Sequence, residues 1–334
     1  MIQDLTSIDY KSSLDLLQTQ KAIKFIKDTF ESLLAESLGL TRVSAPLFVL
    51  SSSGLNDGLS GKEKAISFLS KEIEGDIEIV HSLAKWKRYA LHRYNISVHE
   101  GIYTDMNAIR KDERLDPLHS IYVDQWDYEL CIEEKDRNLE YLKETVRKIY
   151  KVLLEVSDLV SERYGISHDL PKDIFFITSE ELLSLYPTLS PKEREEAICK
   201  DKGAVFLIGI GHKLSNGLPH DSRAPDYDDW NLNGDILLYY PLLDTSFEIS
   251  SMGIRVSPSS LKEQLSLSGR SKELDNPYCK AIIDGRLPYS LGGGIGQSRL
   301  CMYFLNKAHI GEVQASLWNE EEEKRLSEFG ISLL

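Results

Sequence analysis

Gly292-Gly293-Gly294-Ile295-Gly296-Gln297-Ser298-Arg299-Leu300 is the stretch on which the fold turns. Glycine lets a backbone approach a ligand where a Cβ would intrude. Arg299, three residues after the last glycine, offers a planar fork for phosphate or carboxylate oxygens. The following Leu300-Cys301-Met302-Tyr303-Phe304-Leu305 is apolar enough for a buried helix. Neither common glycine fingerprint fits. There is no Gly-Lys-Ser/Thr ending, and no third glycine at dinucleotide spacing. On its own the run also reads as a hairpin turn or a tight strand-to-helix junction, so its meaning has to come from the rest of the chain.

The 334 residues are 42% hydrophobic and 28% charged, which suits one large domain or two small ones. A formal net charge of -14 argues against a broad nucleic-acid-binding face. No apolar run reaches membrane-spanning length, and the N-terminus shows no secretory pattern, so a cytoplasmic enzyme with no membrane partner is expected. Cys131, Cys199, Cys279 and Cys301 are far apart, which points to buried free thiols rather than zinc or disulfides. His81 and His119 sit beside charged segments and are expected to be structural hydrogen-bonders.

Periodicity supplies the elements around the glycine run. Ser13 to Leu38 has the spacing of an amphipathic helix, with Ile23, Ile26, Phe30, Leu33 and Leu38 inward and Gly39 as its stop. Thr41 to Phe48 reads as an extended strand whose Pro46 suits an edge or interface. Ser51 to Gly61 reads as a mobile loop, a linker or a lid. Strands are expected at Ile77–Val80, Gly101–Ile109, Ser120–Ile132, Ile174–Thr178 and Ala204–Ile210, with a hairpin over Asp235–Tyr240 and Phe247–Val256. Helices are expected from Leu83 to Tyr94 and from Leu139 through Val160. Strands that come in adjacent pairs, with helices between the groups, favour an α+β fold with a mostly antiparallel multi-stranded sheet flanked by helices.

Four segments concentrate charge and aromatic residues. In Tyr122-Val123-Asp124-Gln125-Trp126-Asp127-Tyr128-Glu129, strand alternation puts Gln125 and Asp127 on one face, where an amide and a carboxylate suit an ammonium group. A solvent-facing strand edge is the alternative. Asp235 and Glu248 lie on two paired strands, and two carboxylates so placed can hold magnesium. Arg255 is seven residues after Glu248, so a regular strand would turn it to the other face unless a bulge near Gly253 re-aims it. His81-Ser82-Leu83-Ala84-Lys85-Trp86-Lys87-Arg88 starts a helix with more basic residues than a cap needs. Arg223-Ala224-Pro225-Asp226-Tyr227-Asp228-Asp229-Trp230 crowds acidic and aromatic residues into a turn with no EF-hand spacing.

Together these segments resemble the catalytic core of class II aminoacyl-tRNA synthetases, the aspartyl type above all. Gly39–Pro46 looks like that class's first motif, Arg110 with Asp112 and Tyr122–Glu129 like its second, and Gly292–Leu300 like its third. The fuller resemblance is to the bacterial ammonia-dependent asparagine synthetases, the A-type aspartate–ammonia ligases. It rests on HSLAKWKR (His81–Arg88), PLHSIYVDQWD (Pro117–Asp127), RAPDYDDW (Arg223–Trp230), LNGDI (Leu232–Ile236), SSMGIR (Ser250–Arg255) and GGGIGQSRL (Gly292–Leu300). It runs from about residue 20 to the C-terminus, with a connection from Asp229-Trp230 to Leu232 shorter than the family's and an N-terminal extension over residues 1–11 of a single catalytic domain.

The resemblance implies an AMP-forming ligase that joins ammonia to aspartate using ATP, works as a homodimer and binds no nucleic acid. It implies roles for residues as well. Arg110 would bind the α-phosphate. Asp235 and Glu248 would hold Mg²⁺ against the phosphates. Arg299 would meet the nucleotide, with the backbone of Gly292, Gly293, Gly294 and Gly296 beneath it. Lys87 and Arg255 would grip the β-carboxylate of aspartate, and Gln125 and Asp127 its head group. Ser82, Arg223, Asp228, Ser250 and Ser251 would complete the pocket. Asp57, in the serine-rich loop, is the candidate for handling ammonia, with Asp228 as its rival.

Overall fold

The computed structural model describes residues 10–58 and 63–334. Its strands are β1 (Leu40–Arg42), β2 (Phe48–Leu50), β3 (Ser67–Phe68), β4 (Ile77–Ile79), β5 (Gly101–Ile109), β6 (Tyr122–Ile132), β7 (Phe175–Thr178), β8 (Ala204–Ile208), β9 (Asp228–Tyr240), β10 (Thr245–Arg255) and β11 (Tyr289–Gly296). Its helices are α1 (Leu16–Leu38), α2 (Ala84–Arg93), α3 (Leu139–Tyr164), α4 (Ser179–Leu185), α5 (Pro191–Lys202), α6 (Pro258–Leu267), α7 (Pro277–Ile283), α8 (Gln297–Phe304) and α9 (Glu320–Glu328).

An eight-stranded sheet runs in the order β1-β5-β6-β11-β10-β9-β8-β7, and β2-β4-β3 make a small second sheet. Neighbours from β5 across to β8 are antiparallel, and the outer pairs β1–β5 and β7–β8 are parallel. The glycine run is therefore neither a turn nor a loop. It is the body of β11, a strand inside the sheet, which ends where α8 begins.

Several boundaries differ from the sequence reading for local reasons. α1 starts at Leu16 rather than Ser13 because Asp15 takes the N-cap and forms a capping box with Gln18. Gly39 ends it in the left-handed conformation, φ 66°. Leu34, not Leu33, is fully buried on its inner face. Thr41–Phe48 is not one strand. It divides between β1, at the edge of the large sheet, and β2 in the small one. β9 begins at Asp228, well before the expected Asp235. Part of the predicted mobile loop, residues 59–62, and most of the predicted N-terminal extension, residues 1–9, lie outside the described residues.

One face of the sheet is dry. Trp126, Tyr128 and Leu130 of β6, Met252 and Ile254 of β10, and Leu291 and Ile295 of β11 pack there against α1, α3 and α8. Phe30 of α1 stacks on Trp126 with ring centroids 4.9 Å apart. The other face is covered in patches, by α4 and α5 at the β8 side and by α2 over β5. Between those patches the face stays polar. The four cysteines are buried and free, as expected.

His309 lies in the turn after α8, fully buried against Trp318. Its Nδ1 accepts from the Gly311 N–H at 3.1 Å, so the ring proton sits on Nε2. Burial pushes its pKa down from 6.5 to about 4, against the pull of Glu322. The unfolded chain therefore binds this proton more readily. The stability this provides is present above pH 6.5 and is lost as pH falls toward 4. Thermal melts across that window should show the fall, and His309→Gln should flatten it. Equal falls in both proteins would remove His309 from the account.

Candidate functional site

β11 lies between β6 and β10, with Gly292 opposite Glu129, Gly294 opposite Asp127 and Gly296 opposite Gln125. The glycines alternate in what they make room for. A Cβ on Gly292 would collide with the Glu129 carboxylate, and one on Gly294 with the ends of Gln125 and Asp127. A Cβ on Gly293 would point to the dry face, into Met252 and Tyr128. The run is thus a floor across which neighbouring polar side chains fold, and Gly292 itself is roofed by Glu129 instead of facing the cleft. Gly293, Gly294 and Gly296 do line it.

Above this floor is a cleft of about 510 Å³, the size of a small-molecule site. It brings together Asp57, Ser82, Lys87, Arg110, Gln125, Asp127, Arg223, Asp228, Glu248, Ser251, Arg255 and Arg299 among its walls. The predicted sharing of one face by Gln125 and Asp127 holds, and β6 is an interior strand rather than a solvent-facing edge. Ser250 is a correction. Its cross-strand neighbours are Ile236 and Ile295, both in the dry core, so its hydroxyl is buried away from the cleft.

The register explains why Glu248 and Arg255 nonetheless share a face. A shift between Glu248 and Ser250 inserts one extra residue on β10, after which Ser251 and Arg255 follow on the side Glu248 already occupies. The re-aiming bulge is therefore at Ile249 rather than at the expected Gly253. A second irregularity, between Gly253 and Arg255, reflects extra residues on β9.

Each cation on the floor is held by a carboxylate. Arg255, 2% exposed, gives Glu129 a two-pronged grip with bonds of 2.9 and 2.7 Å and also donates to Asp228. Burial opposes the charge of Arg255, but the two carboxylates outweigh it and hold the guanidinium firmly protonated. Lys87, from α2, reaches Asp127 at 3.1 Å and donates to the Gly293 carbonyl at 2.7 Å. Burial lowers its pKa despite Asp127. Arg223 meets Asp235 at 2.6 Å and donates to Ser251. The other two basic residues of the α2 segment are structural. Lys85 pairs with Asp226 at 2.5 Å, and Arg88 ties down the Pro288 and Val256 carbonyls.

Asp235 and Glu248 stand close enough to disturb each other. Burial pushes the Asp235 carboxyl up to about 7, even against Arg223, and the Glu248 charge adds to the push. Two oxygen-donor groups in mutual repulsion fit a hard divalent cation. Arg299 donates to the Glu248 carbonyl at 3.1 Å and meets His119 Nε2 at 2.7 Å. Arginine only donates, so His119 accepts through Nε2 and its Nδ1 donates to Asp116 at 2.8 Å. Arg110 also lines the cleft, and its buried Nε has no hydrogen-bond partner among the described residues.

Asp57 is 4% exposed and accepts from the Tyr227 hydroxyl at 3.1 Å, while its carbonyl lies 3.2 Å from His81 Nδ1. Asp228, the rival, is committed to Arg255. Ser82, one residue before the α2 N-cap Leu83, accepts from the Ala84 N–H at 3.1 Å and lines the cleft. Sequence reasoning missed Glu129, although the alternation through Gln125 and Asp127 reaches it next. It also missed that Tyr227 holds Asp57 and that His119 holds Arg299, contacts for which no local pattern gives a signal.

A sequence model of the family described as aspartate-ammonia ligase matches residues 17–330. An aspartate–ammonia ligase of Clostridium perfringens is 58% identical over 328 residues, covering 98% of both chains. One from Fusobacterium nucleatum is 56% identical, covering 97% of this chain and 99% of its own. Among solved structures, asparaginyl-tRNA synthetase from Entamoeba histolytica in complex with asparaginyl-adenylate superposes with a TM-score of 0.62 at 14% identity, covering 89% of this chain and 66% of that one. The Pyrococcus horikoshii asparaginyl enzyme, also with asparaginyl-adenylate, gives 0.62 at 15% identity, covering 90% and 70%. At that identity the likeness establishes a common fold, the class II synthetase-like architecture.

Removing Glu129 should leave Arg255 under-compensated in a dry site. Glu129→Ala is expected to lower stability by about 3 kcal/mol, read from urea unfolding. Gly292→Ala places its Cβ where the Glu129 carboxylate sits, so it should act largely through the same contact. The double variant should lose less than the sum of the two. Strict additivity would refute the shared cause.

Proposed function

The chain belongs to the aspartate–ammonia ligase family, and on that premise we propose how its residues divide the reaction. The enzyme amidates L-aspartate with ammonia and ATP through β-aspartyl-AMP, giving L-asparagine, AMP and pyrophosphate. The observation that best supports the assignment is that Lys87, Arg110, Arg223, Arg255 and Arg299 all line one cleft of a chain whose net charge is -14.

The first step joins two anions, the aspartate β-carboxylate and the α-phosphate. Lys87 and Arg255 grip the β-carboxylate, exchanging part of their hold on Asp127, Glu129 and Asp228 for the substrate. Gln125 and Asp127 receive the ammonium head group, and Arg223 with Ser251 closes that end. Arg110 stabilises the charge that develops on the α-phosphate, a role suited to a guanidinium whose buried Nε has no acceptor among the described residues. Arg299 meets the nucleotide over Gly294 and Gly296. Asp235 and Glu248 would hold magnesium, which when bound supplies charge neutralisation to the phosphates.

In the second step ammonia attacks the mixed anhydride. Ammonia in neutral water is mostly ammonium, so a carboxylate must hold it and take a proton. Asp57 fits this role, being buried at the cleft wall and fixed by Tyr227. Dimerisation through α1 and β1 is supported by the edge position of β1. A cytoplasmic location is consistent with the finding that no helix among the described residues is long and apolar enough to cross a membrane.

The half-reactions separate these roles. Asp57→Asn should keep aspartate-dependent exchange of pyrophosphate into ATP while ammonium-dependent asparagine formation falls by roughly 100-fold. An unchanged ammonium step would remove Asp57 from the chemistry. Asp235→Asn should raise the magnesium concentration needed for half-maximal exchange by about tenfold. An unchanged requirement would move the metal elsewhere.

A further inference from the structure

The residue that presents Arg299 to the cleft is held from behind. α8 opens at Gly296, whose lack of a side chain leaves the first turn with no cap of its own. Asp124, which alternates with Gln125 on β6 and is 7% exposed, fills that gap. Its Oδ1 accepts from the Ser298 backbone N–H at 3.1 Å and from Gln314 Nε2 at 3.2 Å. Its Oδ2 accepts from Ser298 Oγ at 2.8 Å and from Lys27 Nζ of α1 at 3.0 Å. One residue earlier, Gln297 donates to Asp105 of β5 at 3.0 Å, and Asp105 is gripped by Arg42 of β1 at 2.7 Å. Two consecutive residues of the first turn of α8 are thus clamped to carboxylates, and both carboxylates take their counter-cation from the α1–β1 segment. Arg299 is the next residue and points the other way, to Glu248 and His119.

We propose that Asp124 is the positioning residue for Arg299, and that Lys27 completes it, so that the α1–β1 segment sets the aim of the nucleotide arm. The energetics favour Asp124 over the parallel Arg42–Asp105 link. Arg42 is 54% exposed in its pair and so is screened by water, whereas Asp124 and Ser298 are buried. A carboxylate at a helix N-terminus also meets the positive end of the helix dipole. Burial works against the charge on Lys27, yet Asp124 outweighs it and holds the ammonium protonated. The inference rests on the reading of Arg299 as the nucleotide arm and extends it through Asp124 at the cleft wall to Lys27, which does not line the cleft.

The test is a split between the two substrates in the full-length enzyme. Asp124→Asn should raise the KM for ATP by about tenfold while the KM for aspartate moves less than about twofold, because a charge-assisted clamp is lost only behind Arg299. Lys27→Met should shift the ATP KM the same way by a smaller factor, and adding it to Asp124→Asn should change nothing further. Ser298→Ala keeps Asp124 and removes the bond the hydroxyl gives it and the one it accepts from Gln314, so it supplies the ATP readout if Asp124→Asn does not fold. Arg299→Gln serves as the reference. If it leaves the ATP KM unchanged, the nucleotide-arm reading fails. If it raises the ATP KM but Asp124→Asn, Lys27→Met and Ser298→Ala do not, or if they weaken both substrates equally, the positioning role fails alone.

Discussion

Arg255 buried between Glu129 and Asp228 is the constraint on which the site depends. A guanidinium taken out of water is tolerated only when its charge and its donors are both answered. Here the answer comes from three strands. β10 brings the arginine, β6 the two-pronged carboxylate and β9 the second one. Much follows from that packing. Glu129 must cross β11, so Gly292 can carry no side chain. Arg255 and Glu248 must face the same way, so β10 carries its extra residue at Ile249. The glycine strand and the irregular register are consequences of placing charge in the middle of a sheet.

The same arrangement explains how the cleft can stand ready for anions without collapsing. Its cations are matched internally, Lys87 with Asp127, Arg223 with Asp235, Arg255 with Glu129 and Asp228. A bound carboxylate would take over part of pairs that are already oriented, so few side chains need to be ordered when it arrives. Arg110 and Arg223 each keep a buried Nε with no hydrogen-bond partner among the described residues, donor capacity that an arriving anion can use.

Much of this was legible in the sequence because it obeys short periods. Alternation put Gln125 and Asp127 together, helical spacing identified α1 and α3, and the placing of Asp235 and Glu248 on adjacent strands followed from a hairpin. Where the reading failed, the cause was non-local. Ser250 was placed in the cleft together with Ser251 by the resemblance, but neighbours on a strand face opposite ways, and the bulge at Ile249 decides that Ser251 is the one facing the cleft. The glycine run was open to a turn because nothing near it announces that Met252 and Glu129 will fill its two faces. His119 and Tyr227 hold Arg299 and Asp57 from elsewhere in the chain, contacts that only the tertiary fold creates.

The floor strand also bears on how the chain acquires its shape. Arg255 and Glu129 are separated by 126 residues, and Lys87 and Gly293 by 206. Bringing such distant points together costs loop entropy that is recovered only once the whole central sheet is paired. β11 has little apolar surface with which to be drawn in early, since glycines form much of it. α1 and α3 can gather their own faces beforehand, but the cleft cannot exist in part. A nascent or partly unfolded chain therefore carries the residues for adenylate chemistry without a place to perform it, and activity reports the completion of folding.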